Sequence, residues 1–372
     1  MRRCLLAFLV AVTLVAVQQV NTAHPMAQAP RSAPPAQPTV PPGAVGHCDI
    51  RTTERVVAVG DVHGAHDGFR AILRAAALID TRDRWVGGRA ILVQTGDVLD
   101  RGADSRKTLD LLRRLERDAR GNGGQVIPLL GNHEFMRVVG DWRYVSPGEY
   151  EAFRNADSIE IRDNARERSA ALAAERARTE KRRFDAEQFR KDFFEDIPLG
   201  YIEMKVAFSA GSDYGDWIRS RQAVARINGV LFIHGGISPT VAALGCAGIN
   251  QAVTSELKSL PVAPENVPSL LASQETGPLW YRGLAEEKEP ELGSELTATL
   301  QKLGARAVVI GHTVALGRIT PRFGGRVLQI DTGMLGGKSY PGGGPSALEI
   351  HGDTITAIYP NRREPLGTLP TS

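Results

Sequence analysis

Half of the chain's eight histidines fall in short motifs that each follow an apolar run. They are His63 in "RVVAVGDVHG" (55–64), His133 in "QVIPLLGNHE" (125–134), His234 in "GVLFIHGG" (229–236) and His312 in "RAVVIGHT" (306–313). A fifth run, "AILVQTGDVLDRG" (90–102), sets Asp97, Asp100 and Arg101 between Gly96 and Gly102, and "RVLQIDTG" (326–333) is a near relative. One such motif alone reads as a turn. Five in order, each behind a strand-like run, place polar groups where strands end and bring them to one location. Asp, Asn and His offer hard oxygens and imidazole nitrogens, which suit Mn, Fe or Zn rather than soft thiolate sites. Asp61, His63, Asp97, Asn132, His234 and His312 exceed the needs of one ion; with a shared carboxylate they fit two ions about 3.5–4 Å apart. Such a pair turns water into hydroxide at neutral pH and clamps the oxygens of an in-line displacement. Arg101 adds a fixed cation able to grip a phosphate in bidentate fashion. Together these residue types specify phosphoester hydrolysis.

The elements that must hold them follow from the same runs. Short, β-branched apolar stretches read as buried strands. Helical patterns lie between them, "GFRAILRAAALI" (68–79) after the first and "SRKTLDLLRRLERDA" (105–119) after the second. Strands alternating with helices predict an α/β sheet protein with its site at one strand edge. Glycine next to the polar residues lets the backbone turn sharply and approach closely. Residues 149–196 depart from this scheme, being rich in Ala, Glu and Arg with mixed charges spaced for i,i+4 pairing. They predict one or two exposed helices inserted in the fold, either a solvated decoration or a lid that selects substrates.

The ends of the chain are of another kind. Arg2 and Arg3 precede an apolar stretch from Leu5 to Val17 and a small-residue site ending at Ala23, the pattern of a secretory signal peptide over 1–23. The stretch is shorter than the ~20 residues a membrane span needs, so cleavage and no stable membrane insertion are expected, with a periplasmic or secreted product. Residues 24–47 are rich in Pro, Ala and Gln and read as a disordered linker. The folded domain is expected over 48–362, followed by a tail, 363–372. Of 372 residues, 42% are hydrophobic and 23% charged, enough for a sizeable core. Removing 1–23 takes away two arginines and no acids, so a net +3 becomes +1, a balance that gives no sign of a nucleic-acid or membrane partner. Cys48 and Cys246 then remain, either paired in an oxidising compartment or as two separate thiols.

The motifs "GDVHG", "GDVLDRG", "GNHE", "HGG" and "GH" resemble the signature of phosphoprotein-phosphatase-type, calcineurin-like metallophosphoesterases, from about Val56 to Met334. Leu99 within "GDVLDRG", "GDWRYVSPGEY" (140–150), "GPLWYRG" (277–283) and "IDTGM" (330–334) are similar to the bacterial Shewanella-like protein phosphatase subgroup. The resemblance implies a four-layer αββα sandwich with two divalent or trivalent ions (Mn, Fe or Zn) at its strand edge. It implies Asp61 and His63 on the first ion, Asp97 bridging, and Asn132, His234 and His312 on the second. His133 would be the general acid, oriented and charged by Asp100, while Arg101 and Arg282 would hold the phosphoryl oxygens. It further implies a phosphorylated protein or peptide as substrate, phosphotyrosine favoured over phosphoserine or phosphothreonine. A dinucleoside polyphosphate or other small-molecule phosphohydrolase on the same core and a metal-dependent binding protein without catalysis are the alternatives; the intact His133, Asp100 and Arg101 argue against the latter. "IDTGM" replaces the Ser-Ala-Pro-Asn-Tyr-Cys-type segment of eukaryotic relatives, so their substrate grooves do not carry over. Among neighbouring residues, His66 is expected to cap a helix, Glu134 to buttress its loop, 336–345 to form a rim loop and 351–353 a hairpin turn.

Overall fold

The five motif runs fold as strands whose sequence explains their place. Numbered in chain order, β1 is Asp49–Ile50, β2 Val56–Val59, β3 Ile91–Gln94, β4 Gln125–Pro128, β5 Val224–Ile227, β6 Val230–Ile233, β7 Ala307–Ile310, β8 Thr320–Arg322 and β9 Val327–Gln329. The computed structural model describes residues 48–371; the expected signal peptide (1–23) and linker (24–47) lie outside them. β2, β3, β6 and β7 are buried at every residue, as unbroken Val/Ile/Leu runs require when both faces of a strand are covered.

Three further strands, β10 (Ala347–His351), β11 (Thr354–Tyr359) and β12 (Arg362–Thr368), complete two six-stranded sheets, ordered β12-β11-β10-β2-β3-β4 and β1-β5-β6-β7-β9-β8. β2, β3 and β4 run parallel, with Val56 opposite Ile91 and Ile91 opposite Gln125. β6, β7 and β9 do the same, with Val230 opposite Ala307 and Val308 opposite Val327. Parallel pairing sets the C-terminal ends of three adjacent strands side by side in each sheet. The inner faces meet in one core, where Val56, Val93 and Ile127 of the first sheet join Ala225, Phe232, Val309 and Leu328 of the second. Helices cover the outside. Ser105–Gly121 packs on β4 through Leu109, Leu112, Leu115 and Ala119, an i,i+3/i+4 stripe, and Gly245–Ser259 packs on β5. The result is the αββα layering. A disulfide joins Cys48 to Cys246, with Cα atoms 5.8 Å apart, and ties the start of β1 to the helix Gly245–Ser259.

Two boundaries differ from the sequence reading. Residues 363–368 are not a tail: they continue β12, antiparallel to β11 from Tyr359–Arg362 to Thr354–Thr368, and Leu369 is buried. "RREPLGT" is polar and holds both Pro and Gly, which an edge strand tolerates and which conceals it in the sequence. The helical segment also begins after 149. Pro147–Glu151 is a short helix of the main body, and residues 153–206 form a compact unit of their own, with long helices Ser158–Thr179 and Ala186–Asp196. Residues 351–353 form the β10–β11 hairpin turn, His351 pairing with Thr354. Among the described residues no helix is long and apolar enough to cross a membrane.

Candidate metal centre and active site

Each of the six expected ligands stands within a few residues of the end of a parallel strand. Asp61 and His63 follow β2, Asp97 follows β3, Asn132 β4, His234 β6 and His312 β7. Backbone bonds knit the first two loops together: the amides of Val62 and His63 both donate to the Asp97 carbonyl at 2.9 Å. The Asp97 carboxylate accepts the His133 amide (3.0 Å), and that of Asp61 accepts the His312 amide (3.0 Å), so each carboxylate reaches across to another strand's loop. Close approach demands glycine at two points. A Cβ on Gly311 would lie 2.4 Å from Asp61 Oδ1, and one on Gly131 2.3 Å from Asp97 Oδ1.

The imidazoles are aimed. His63 Nδ1 donates to the Leu99 carbonyl at 2.8 Å and His234 Nδ1 to the Thr95 carbonyl at 3.0 Å. A carbonyl can only accept, so in both rings Nδ1 carries a proton and Nε2 is the nitrogen left facing inward. His63 Nε2 lies 3.8 Å from Asp61 Oδ2 and 3.6 Å from Asp97 Oδ2. His234 Nε2 lies 2.8 Å from Asn132 Oδ1 and 3.3 Å from Asp97 Oδ1. His312 Nε2 is buried with no hydrogen-bond partner. Donor atoms of Asp97, His234 and His312 gather within 4.8 Å of one another, and so do those of His63, Asp97 and His133. Lone pairs converging on one buried space, with an orphaned imidazole nitrogen at its wall, form a donor set that fits cations.

Electrostatics agree with that fit. Burial pushes the Asp61 carboxyl well up, with Asp331 and Asp97 adding to it, and burial together with Asp97 raises Asp331 to about 6. Asp97 is buried as well, which opposes its charge, yet the neighbouring His234 and His133 hold its carboxyl well below the usual carboxylate range. Burial drives His63 down to about 3 and His312 to about 2, leaving neutral rings able to ligate. Asp61, Asp97, Glu134 and Asp331 thus form a crowd of buried carboxyls that incoming cations would neutralise.

His133 is held differently. Its Nδ1 meets Asp100 Oδ2 at 2.6 Å, and its Nε2 lies 3.7 Å from Asp97 Oδ2. Asp100 is clasped in turn by the fully buried Arg137, which also reaches Glu149 at 3.2 Å and lies 5.0 Å from the ring centre of Trp142 and 4.9 Å from that of Phe208. Burial opposes charge on His133, but Asp97 and Asp100 outweigh it and raise the ring above its ordinary value. Burial likewise opposes charge on Asp100, and the bonds from His133 and Arg137 still hold it down.

Arg101 is exposed beside this cluster, and among the described residues no carboxylate pairs with it. Arg282 donates one Nη to the His312 carbonyl and to Thr313 Oγ1, both at 3.0 Å, which ties it to the loop that carries His312. Glu134 buttresses its loop, accepting the amides of Asp97 (2.8 Å), Val98 (2.9 Å), Leu99 (3.2 Å) and Gly131 (3.0 Å). His66 is the first residue of the helix His66–Ala75 and makes no cap; Ala65 holds the cap position without a side-chain bond.

Three residues of the site carry no assignment from the sequence. Asp331 follows β9 as the other acids follow their strands, and the near-relative motif "RVLQIDTG" was its signal, lacking only the preceding glycine. Arg137 had none, lying inside a helix where a charged residue reads as exposed; Glu149 stands at the capping-box spacing from Ser146, which marks a helix start but not burial beside Arg137.

Residues 54–316 match the model of the calcineurin-like phosphoesterase family. The chain belongs to that family. It is 32% identical over 291 residues to an uncharacterized protein of Schizosaccharomyces pombe, covering 75% of this chain and 73% of that one. With Shewanella-like protein phosphatase 2 of Arabidopsis thaliana it shares 30% identity over 308 residues, 82% of this chain and 77% of the other. Among solved structures, a cold-active protein tyrosine phosphatase aligns with a TM-score of 0.64 at 25% identity, covering 86% of this chain and 80% of that chain. This phosphoesterase is therefore a metal-dependent phosphoester hydrolase of the Shewanella-like protein phosphatase type.

Proposed function

We propose that this phosphoesterase is a two-metal phosphomonoesterase acting on phosphorylated proteins or peptides, with phosphotyrosine favoured over phosphoserine and phosphothreonine. The observation that carries the reading is that two donor groups, His63–Asp97–His133 and Asp97–His234–His312, meet at Asp97, with Asp61 Oδ2 3.8 Å from His63 Nε2. Asp61 and His63 would hold one ion, Asn132, His234 and His312 the other, and Asp97 would bridge. When bound, such a pair supplies Lewis acidity toward phosphoryl oxygens and toward water.

The protein's own residues do the rest. His133 keeps its Nδ1 proton on Asp100, so Nε2–H is the donor available to the leaving alkoxide or phenoxide oxygen. Arg101 offers a planar fork of N–H groups to the phosphoryl oxygens, and Arg282 its remaining donors from the His312 loop. The tyrosine preference draws support from the likeness to a cold-active protein tyrosine phosphatase. The leader-like residues 1–23 and the Cys48–Cys246 disulfide support export to an oxidising compartment.

Assaying the purified protein with Mn against a phosphotyrosyl peptide, a phosphoseryl peptide and diadenosine tetraphosphate tests the reading. The expected order is phosphotyrosyl over phosphoseryl, with the dinucleotide turned over poorly. Faster turnover of diadenosine tetraphosphate would assign it to polyphosphates, and no turnover of any would leave a binding protein.

A further inference from the structure

Two phenol rings flank Arg101. Its guanidinium carbon lies 5.0 Å from the ring centre of Tyr144 and 5.8 Å from that of Tyr340. On one side, the Tyr144 ring stands 5.1 Å from the His133 ring. On the other, the Tyr340 ring lies 6.3 Å from the His63 ring, within 21° of parallel. Both rings therefore border the space between the acid histidine, the donor cluster and the phosphate-gripping arginine. Tyr144 is 41% exposed, so its ring can be reached from solvent.

Both tyrosines are anchored through backbone. The Tyr144 carbonyl accepts the Arg101 amide at 2.9 Å, coupling its loop to the arginine's own turn. Tyr340 sits in the glycine-rich segment 336–345, where its amide bonds to the Gly336 carbonyl (3.1 Å) and its carbonyl accepts the Gly343 amide (2.9 Å). Gly333, at φ 68°, lets the chain pass beneath, since a Cβ there would meet Tyr340 Cβ at 2.8 Å. The rim segment thus presents one aromatic side chain at a fixed place.

Building on the phosphomonoesterase reading, we propose that Tyr144 and Tyr340 form an aromatic collar that receives the ring of an aryl phosphomonoester and sets the preference for phosphotyrosine. A phosphate seated on Arg101 puts its ester oxygen, and the group attached to it, next to these rings. An aryl group gains offset or edge contacts with them; the short alkyl carbon of phosphoserine has no π face to offer. A purely structural role, with the tyrosines holding Arg101 by cation–π contact, would serve both substrates equally.

The test is the ratio of kcat/KM for a phosphotyrosyl peptide to that for a phosphoseryl peptide of the same flanking sequence. It is measured in the metal-loaded wild type and in Tyr144→Leu, Tyr340→Leu, Tyr144→Phe and Tyr340→Phe. Each leucine variant is expected to lower the ratio about 3- to 10-fold, with phenylalanine restoring it. An unchanged ratio in both leucine variants, whether activity falls on both substrates or on neither, overturns the collar. A wild type inactive on both peptides overturns the phosphomonoesterase reading instead.

Discussion

His63, Asp97, Asp100, Arg101 and His312 all sit at positive φ, between 48° and 68°, a region that L-residues with side chains seldom occupy. Strain of that kind persists only where surrounding bonds enforce it, and here it turns donor atoms inward from the loops that follow the strands. The six candidate ligands were legible in the sequence because residue type and strand-end position coincided at each. Asp331 was signalled by its strand-end motif alone, whereas Arg137 and Glu149 were not legible as buried charges, since burial of a charge is set by three-dimensional partners that no local spacing announces. The division of labour at His133 is open to direct trial. His133→Asn is expected to lower kcat by roughly 10²–10⁴ while metal content by elemental analysis stays intact; loss of metal would make it a ligand. The pH profile tests Asp100. The carboxylates beside His133 raise its pKa, so the ring stays protonated to higher pH and acid catalysis fades as pH climbs through that value. Asp100→Asn removes one of those charges, and the alkaline limb of kcat is expected to move to lower pH; an unmoved limb would separate Asp100 from the acid.

At the scale of elements, the sites depend on turns packed backbone against backbone. The runs "VVAV", "ILVQ", "VLFI" and "AVVI" announced buried strands by composition, and the glycines beside the ligands announced the close approaches. The edge strand β12 stayed hidden because its polar, Pro- and Gly-containing sequence carries no core-facing signal. Glu134 shows what one element contributes. Its carboxylate accepts four amides, three from the β3 loop and one from the β4 loop. Glu134→Ala leaves those buried N–H groups unsatisfied at about 1–3 kcal/mol each, so a loss above about 3 kcal/mol is expected in denaturant unfolding. A loss within about 0.5 kcal/mol would mean that the loop is held by something else.

At the scale of the molecule, parallel pairing within each of two facing sheets makes a single centre possible, because it gathers the strand ends that carry the candidate ligands. The sequence conveyed that architecture through strand–helix alternation and through its resemblance to a known family. The pairing of Cys48 with Cys246 it left open, since their 198-residue separation says nothing of proximity. Replacing both with serine is expected to cost about 2–5 kcal/mol by denaturant titration, the range for a bridge closing a long loop; unchanged stability would show the bridge to be idle. The most direct test of the whole arrangement is metal stoichiometry by elemental analysis, wild type beside Asp97→Asn. Two ions per chain in the wild type, with both depleted and phosphatase activity abolished in the variant, is the expected result. Full occupancy in Asp97→Asn, or a single ion in the active wild type, would contradict it.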